Sequence, residues 1–441
     1  MKTHINLRIT FLFFTILLTP FLSTAQWELQ NSGTSADLNS VFFINENDGW
    51  AVGTEGTILR TTNGGENWDL QTIGTNFSLN SVHFVDPDLG WIAGGQIVDS
   101  GIILRTINGG ENWDVVYFDE YAHGNDIFFI DSLNGWSVRV GYYSGQIIHS
   151  NNGGLTWNYQ FASWNIHSIQ FIDENNGWVA GGYVNGSTGN PTCIMLNTTD
   201  GGNTWTEQIN SSPQGILFGV SFVDQHKGWA AGGNPGMHPS AYSTIIHTEN
   251  GGETWETQNS LSNRVLTDVC FNDSLNGWAV GGFTYQSLIP DSSIILHTND
   301  GGANWEYQNG ASSRQLNSVC FPDQYHGWIA GDSGTILHTD NGGLTGIEQY
   351  NSANWHTQLQ FLSYPNPFSG SVTFEYELNE NAIVILEIFN HLGQGVDLLV
   401  KEMQSKGTHQ VKWNTEGLPA GVYLVRLQEG GQSYVKKLIV Q

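Results

Sequence analysis

Carboxylates are the most abundant reactive groups in this 441-residue chain, where 41 Asp and Glu stand against 14 Lys and Arg for a formal net charge of −27. A pair of them facing each other across a groove would suit glycoside hydrolysis, one as acid and the other as base or nucleophile. No acid stands out from the repeated context in which it sits, however, so the chain does not read as an enzyme, and no catalytic residue is assigned. Recognition of an anionic substrate needs clustered guanidinium groups, and residues 26–350 offer only Arg60, Arg105, Arg139, Arg264 and Arg314. Arg60 and Arg105 begin a periodic series that continues as His149, Asn197, His247, His297 and His338. Equivalent positions on successive repeats do not converge as three or four zinc ligands must, and hydrogen bonding between repeats is the expected role of the series. A second series, Asn45, Asp86, Asp131, Asp173, Asp224, Asp273 and Asp323, precedes each Gly-Trp glycine by four residues. Calcium loops need several oxygen ligands at alternating positions, which only Asp86-x-Asp88 approaches; an Asx turn accounts for all seven. Neither a metal nor a cofactor is expected.

The same charge excludes whole classes of partner. A strongly acidic surface repels nucleic acid and anionic membranes. Lys2 and Arg8 precede an apolar run of 14 residues, Ile9 to Leu22, closed by Ser23-Thr24-Ala25; this pattern predicts a signal peptide over residues 1–25. No later stretch reaches the roughly 18 apolar residues of a membrane span, so the processed chain is expected to be exported, soluble and monomeric. Three cysteines cannot form a disulfide framework. Cys270 and Cys320 occupy equivalent places in two repeats and are expected to be free thiols.

The elements that must position these groups are short strands. Gly-Trp recurs at Trp50, Trp91, Trp136, Trp178, Trp229, Trp278 and Trp328, at spacings of 41, 45, 42, 51, 49 and 50. Each copy reads as four strands, as in Ser40-Val41-Phe42-Phe43, Trp50-Ala51-Val52-Gly53, Thr57-Ile58-Leu59-Arg60-Thr61 and a polar strand from Trp68. Four strands per 40 to 50 residues describe one propeller blade. Between third and fourth strands lies Thr61-x-Asn63-x-Gly65-x-Asn67-Trp68, repeated around Asn108, Asn152, Asp200, Asn250 and Asp300 and closed by Trp113, Trp157, Trp205, Trp255 and Trp305. This turn resembles the Asp-box of neuraminidase-type repeats, a folding element. The seventh copy has Gly346 where Trp is expected, while Trp27-Glu28-Leu29-Gln30 matches Trp255-Glu256-Thr257-Gln258. The start of the mature chain is therefore expected to complete the last blade, with Trp355-His356-Thr357-Gln358 as the rival. Residues 26–346 are read as a seven-bladed all-β propeller. Their Asp-x-x-x-Gly-Trp and Gly-x-Ile-Leu-Arg/His-Thr words resemble the photosystem II assembly and stability factors, although the basic series of that family is largely His here.

After residues 347–361, read as a linker, the charge balance changes: residues 26–350 hold 6 basic and 33 acidic groups, residues 351–441 hold 6 and 8. Alternating strands predict a small Ig-like β-sandwich over 362–441. Tyr364-Pro365-Asn366-Pro367-Phe368, Leu418-Pro419-Ala420-Gly421-Val422-Tyr423-Leu424 and Tyr434-Val435-Lys436-Lys437-Leu438 resemble the type A C-terminal sorting domain of the type IX secretion system. The resemblance implies the secretion machinery as a partner and the cell surface or medium as destination.

Departures from the repeat give the candidate site. Blades one and seven join second to third strands through Thr54-Glu55-Gly56 and Asp332-Ser333-Gly334, whereas blades four to six carry long loops at 183–192, 234–243 and 283–293. These supply Tyr183, Asn185, Asn190, Met237, His238, Tyr242, Tyr285 and Asp291 to one sector of one rim, a mixture suited to an extracellular glycan or protein ligand. Residues 117–125 and Trp164 are expected on the same face. A secreted, non-catalytic binding or scaffolding role follows, with a carbohydrate-active hydrolase and an envelope-complex assembly factor as alternatives.

Overall fold

Runs of β-branched and aromatic residues bounded by Gly, Asn and Asp favour short strands joined by tight turns. The computed structural model contains strands and one short 3₁₀ turn among its described residues. It describes residues 27–71, 73–96, 100–141, 145–163, 165–184, 190–209, 215–234, 242–258, 264–282, 293–310, 314–343, 361–364, 368, 370–378, 381–390, 395–414, 418–419, 421–429 and 432–440. The chain divides into two units, Met1–Ile347 and Glu348–Gln441.

The first unit is a ring of seven four-stranded antiparallel sheets. Leu38–Phe43, Gly49–Gly53, Ile58–Thr61 and Asp69–Gln71 form blade one from axis to rim. The seventh sheet takes Leu316–Cys320, Gly327–Gly331 and Thr335–Thr339, and its fourth strand is Glu28–Asn31, with Glu28 opposite His338 and Asn31 opposite Thr335. The start of the chain thus closes the ring as expected, which covers a sheet edge that would otherwise be open. The rival segment at 355–358 lies outside the described residues.

One aromatic arrangement repeats at every blade boundary. Each Gly-Trp indole stacks on a Phe of the following blade at centroid distances of 3.5 to 3.7 Å, from Trp50 on Phe84 round to Trp328 on Phe43. That Phe is met edge-on by the box Trp of its own blade at 5.7 to 6.0 Å, with Trp27 serving Phe321 in blade seven. The indole N–H donates to a box-glycine carbonyl of the same following blade at 2.9 to 3.2 Å, so a buried polar group is satisfied by the contact that buries it. Glycine precedes each Trp because the Phe ring lies on its backbone: a Cβ at Gly49 would stand 2.4 Å from the Phe43 ring.

The Asp-box turns are held as their residue types demand. In blade one, the Thr61 hydroxyl donates to Asn63 Oδ1 and accepts from the Gly65 N–H at 2.9 Å, and the Asn67 N–H reaches Asn63 Oδ1 at 3.1 Å. Gly64 and Gly65 take φ of 67° and 85°, a region that favours glycine. All seven Asx residues before Gly-Trp accept two backbone N–H groups, as in Asp173 from Asn175 and Asn176, confirming the Asx turns. The His members of the Arg/His series differ from expectation, whereas Arg60 and Arg105 reach the box glycines Gly109 and Gly153 of the following blade. Instead of bonding between repeats, His149, His247, His297 and His338 lie against the Gly-Trp indole of the adjacent strand in their own blade at 4.7 to 4.9 Å. The register that pairs Trp136 with His149 and Trp328 with His338 puts the two rings on one face of the sheet.

The second unit has two sheets, Phe361–Tyr364 with Ser371–Leu378 and Gly407–Asn414, and a four-stranded sheet ordered Gly395–Gln404, Ala382–Asn390, Gly421–Glu429, Gln432–Val440. Val372, Phe374, Tyr376, Leu386, Trp413 and Leu427 share one core, the arrangement of a small β-sandwich.

Candidate functional site

Every innermost strand of the propeller carries a register shift near its start, between Leu38 and Ser40, Leu79 and Ser81, Gly124 and Asp126, Ile166 and Ser168, Leu217 and Gly219, Leu266 and Asp268, and Leu316 and Ser318. A bulge re-aims side chains, and here two consecutive residues from six blades, with Phe218 alone from blade five, line the central channel, a cavity of about 220 Å³. The bulged residues are Asn39, Asn80, Asn125, His167, Phe218, Thr267 and Asn317. Asn39, Asn80, Asn125, Thr267 and Asn317 each donate to a carbonyl of the next blade's inner strand at 2.7 to 3.0 Å. His167 and Phe218 occupy the corresponding places in blades four and five, with their rings 4.9 Å apart.

The residues one step further along form a second belt. Ser40, Ser81 and Ser318 accept backbone N–H groups of Val82, Ile127 and Val41 in the following blade. Asp126 and Asp268 take the place of serine in blades three and six. Asp126 accepts from Ser81 Oγ at 2.6 Å, Ile127 N at 2.9 Å and Ile169 N at 2.9 Å, joining three blades. Asp268 accepts from Val269 N at 2.8 Å and Val319 N at 2.9 Å, and a Cβ at Gly219 would stand 2.9 Å from its Oδ1. Burial raises both carboxyls, Asp268 to about 7, against the pull of these hydrogen bonds. These two acids are the functional-looking residues that the sequence reading passed over. The signal was there: both replace Ser at a position where Ser recurs in four blades. Their oxygens are occupied by backbone donors, which fits inter-blade latches rather than a hydrolytic pair.

On the same inner strands, His83 Nε2–H donates to Phe129 O at 2.8 Å between Phe42 and Phe128, and burial lowers its imidazole to about 4. Cys320 Sγ accepts from the Phe43 N–H at 3.3 Å. Cys193, Cys270 and Cys320 form no disulfide, and burial holds their thiols protonated, Cys320 near 12.

The face carrying the second-to-third strand loops, termed here the loop face, holds a cavity of about 540 Å³ beside the channel mouth, lined by Glu55, Asn76, Ser78, Asn80, Gln96 and His123 among others. Glu55 is brought there by the tight Thr54–Gly56 turn, where it adopts φ of 60°. Burial lowers the His123 imidazole and, more strongly, that of His167, to about 4. Both rings are therefore neutral hydrogen-bonding groups near pH 7. Arg139 does not contribute a free guanidinium: it is buried, bonded to Asp119 Oδ2 and Tyr117 Oη at 2.7 Å and to Gln146 at 2.6 Å.

Of the residues expected to form a site, Tyr183 is half-buried in the strand Gly177–Val184 opposite Thr192, and Asn190 is exposed just before Pro191–Thr198. Tyr242 pairs with Asn234 in the neighbouring blade and is half-buried, its phenol raised mainly by burial. Asn185, Met237, His238, Tyr285 and Asp291 lie outside the described residues, as does Trp164.

The family model described as photosynthesis system II assembly factor YCF48 matches residues 19–163 and 255–351, more than half of the chain. The chain belongs to this family. The secretion system C-terminal sorting domain matches residues 363–441 and supports export to the cell surface or beyond by the type IX route. No curated protein matches the chain in sequence. Among solved structures, YCF48 bound to D1 peptide aligns with a TM-score of 0.55 at 21% identity, covering 72% of this chain and 98% of that one. YCF48 from Cyanidioschyzon merolae gives 0.55 at 19% identity, covering 71% and 98%. An ancestral GH74 enzyme gives 0.53 at 12% identity, covering 93% of this chain and 63% of its own. At these identities the likeness to the solved structures is one of fold.

Proposed function

We propose that the propeller is a non-catalytic binding or scaffolding module, carried outside the cell as cargo of the type IX machinery after residues 1–25 act as a signal peptide. The observation that carries this reading is the cavity at the channel mouth in blades one to three, where Glu55, Asn76, Gln96 and His123 depart from the repeat beside the recurrent Asn80 and Asn125. Carboxamides, a hydroxyl and a neutral imidazole suit the backbone of an extended peptide or the hydroxyls of a glycan. Tyr183, Asn190 and Tyr242, at the described ends of the second-to-third strand connections of blades four and five, belong to the same face. A protein segment is the favoured ligand, since a YCF48 propeller of similar fold has been solved with a peptide. The test is thermal unfolding of the chain against a panel of peptides and glycans, with each mixture assayed for cleavage. A ligand at 100 times its dissociation constant adds about 2.7 kcal/mol, and Asn80→Ala with His123→Ala should remove that gain without products appearing. Cleavage products would replace this reading with a hydrolase.

A further inference from the structure

The seam between blades seven and one differs from the other six boundaries on the box side. In blades three, four and six the Asx-turn carboxylate receives the side-chain N–H of an Asn three residues on, namely Asn134, Asn176 and Asn276. In blade seven that place is His326, whose Nδ1 lies 2.8 Å from Asp323 Oδ2 and 4.0 Å from Glu46 Oε2 of blade one. A carboxamide nitrogen has no lone pair to give a cation, whereas a neutral imidazole does. Asp323 Oδ1 is occupied by the Tyr325 and His326 N–H groups, leaving Oδ2 for the seam. One ligand atom from each of Glu46, Asp323 and His326 falls within 4.8 Å of the others. Glu46 and His326 line a cavity of about 670 Å³ together with Glu28, Glu66, His338 and Asp340, and no Lys or Arg is among its described lining residues.

We propose that Glu46, Asp323 and His326 bind a divalent transition-metal cation of the zinc type that staples the first blade to the last. One nitrogen and two carboxylate oxygens fit zinc better than calcium, which prefers six to eight oxygens. Tetrahedral bonds of about 2.1 Å set ligand atoms about 3.4 Å apart, between the 2.8 and 4.0 Å separations in place. Glu46 is 57% exposed and free to close the difference. The fourth position falls to water or to a group of the cavity wall. The staple would lie beside Glu28–Asn31, so its effect is on ring closure, and it stands whether or not the loop-face reading holds.

The experiment uses the full chain, stripped with chelator and titrated with zinc by calorimetry, with thermal unfolding in parallel and the absorption of a cobalt-substituted sample as a geometric readout. One zinc per chain, a raised midpoint and a tetrahedral cobalt spectrum are expected. His326→Asn installs the residue that blades three, four and six use; it should keep the zinc-free midpoint while weakening zinc at least tenfold, and Glu46→Gln should weaken it by a similar factor. Absence of zinc binding to the wild type, or equal binding to His326→Asn, would overturn the proposal.

Discussion

The two faces of the propeller follow opposite rules. On the box face each boundary uses the same Trp-on-Phe stack, the same edge-on box Trp and the same indole-to-glycine hydrogen bond. On the loop face the second-to-third strand connections range from Thr54–Gly56 in blade one to six, seven and twelve residues in blades four, five and six, and the channel mouth mixes Asn, His, Phe and Thr. The seven Gly-Trp indoles carry stability on one side, whereas on the other the bulge position holds Asn in four blades and His167, Phe218 and Thr267 in the remaining three.

The sharpest way to break that contrast is to truncate equivalent indoles. Trp229→Ala and Trp328→Ala each remove a buried ring and its hydrogen bond, and each should cost about 3 to 5 kcal/mol in urea unfolding. Similar losses are expected, because the seam uses the same contacts as an interior boundary; a Trp328 loss under half that of Trp229 would mean that closure is weaker than the rest of the ring.

Next in size is the latch at Asp268. With its carboxyl raised to about 7, the folded chain keeps a proton that the unfolded chain releases from about pH 4 upward. This group's contribution therefore declines as pH climbs from about 4 to about 7 and is level above that. Asp268→Asn cannot titrate, so the wild-type advantage over the variant should shrink across that window, on the order of a few kcal/mol. An advantage that does not change between pH 4 and 7 would remove the buried proton from the account. The smallest effect is expected at Gln258, which donates to Gly301 O at 2.9 Å and accepts from Trp305 Nε1 at 3.2 Å. Gln258→Ala should cost about 1 to 2 kcal/mol, measured by chemical denaturation, and a cost near zero would confine box-face stability to the aromatic rings.

Much of this architecture was legible because it is written seven times. Gly-Trp, the box and the Trp27 word each recur in register, so chance matches average out, and even the closing strand could be located from Trp27-Glu28-Leu29-Gln30. The channel was less readable. A bulge breaks the alternation of two on which strand faces are assigned, so nothing in Leu38-Asn39-Ser40 announces that Asn39 and Ser40 turn to the axis together. The histidine series misled for a related reason: spacing told which blade each ring belongs to, but only the cross-strand register places His149 opposite Trp136. For the ligand the repeat offers nothing, since binding residues are by nature those that depart from it.

The pairing of Glu28 with His338 also sets an order of events. Closing a loop of about 300 residues instead of one blade of about 45 adds only about 1.6 kcal/mol of chain entropy, so thermodynamics hardly distinguishes the seam from a hairpin. Kinetics does, because contacts between the two ends of a long segment form slowly. Until Thr335–Thr339 has been synthesised, the strand Glu28–Asn31 has no edge to join, and the six blades between them stand as an open arc.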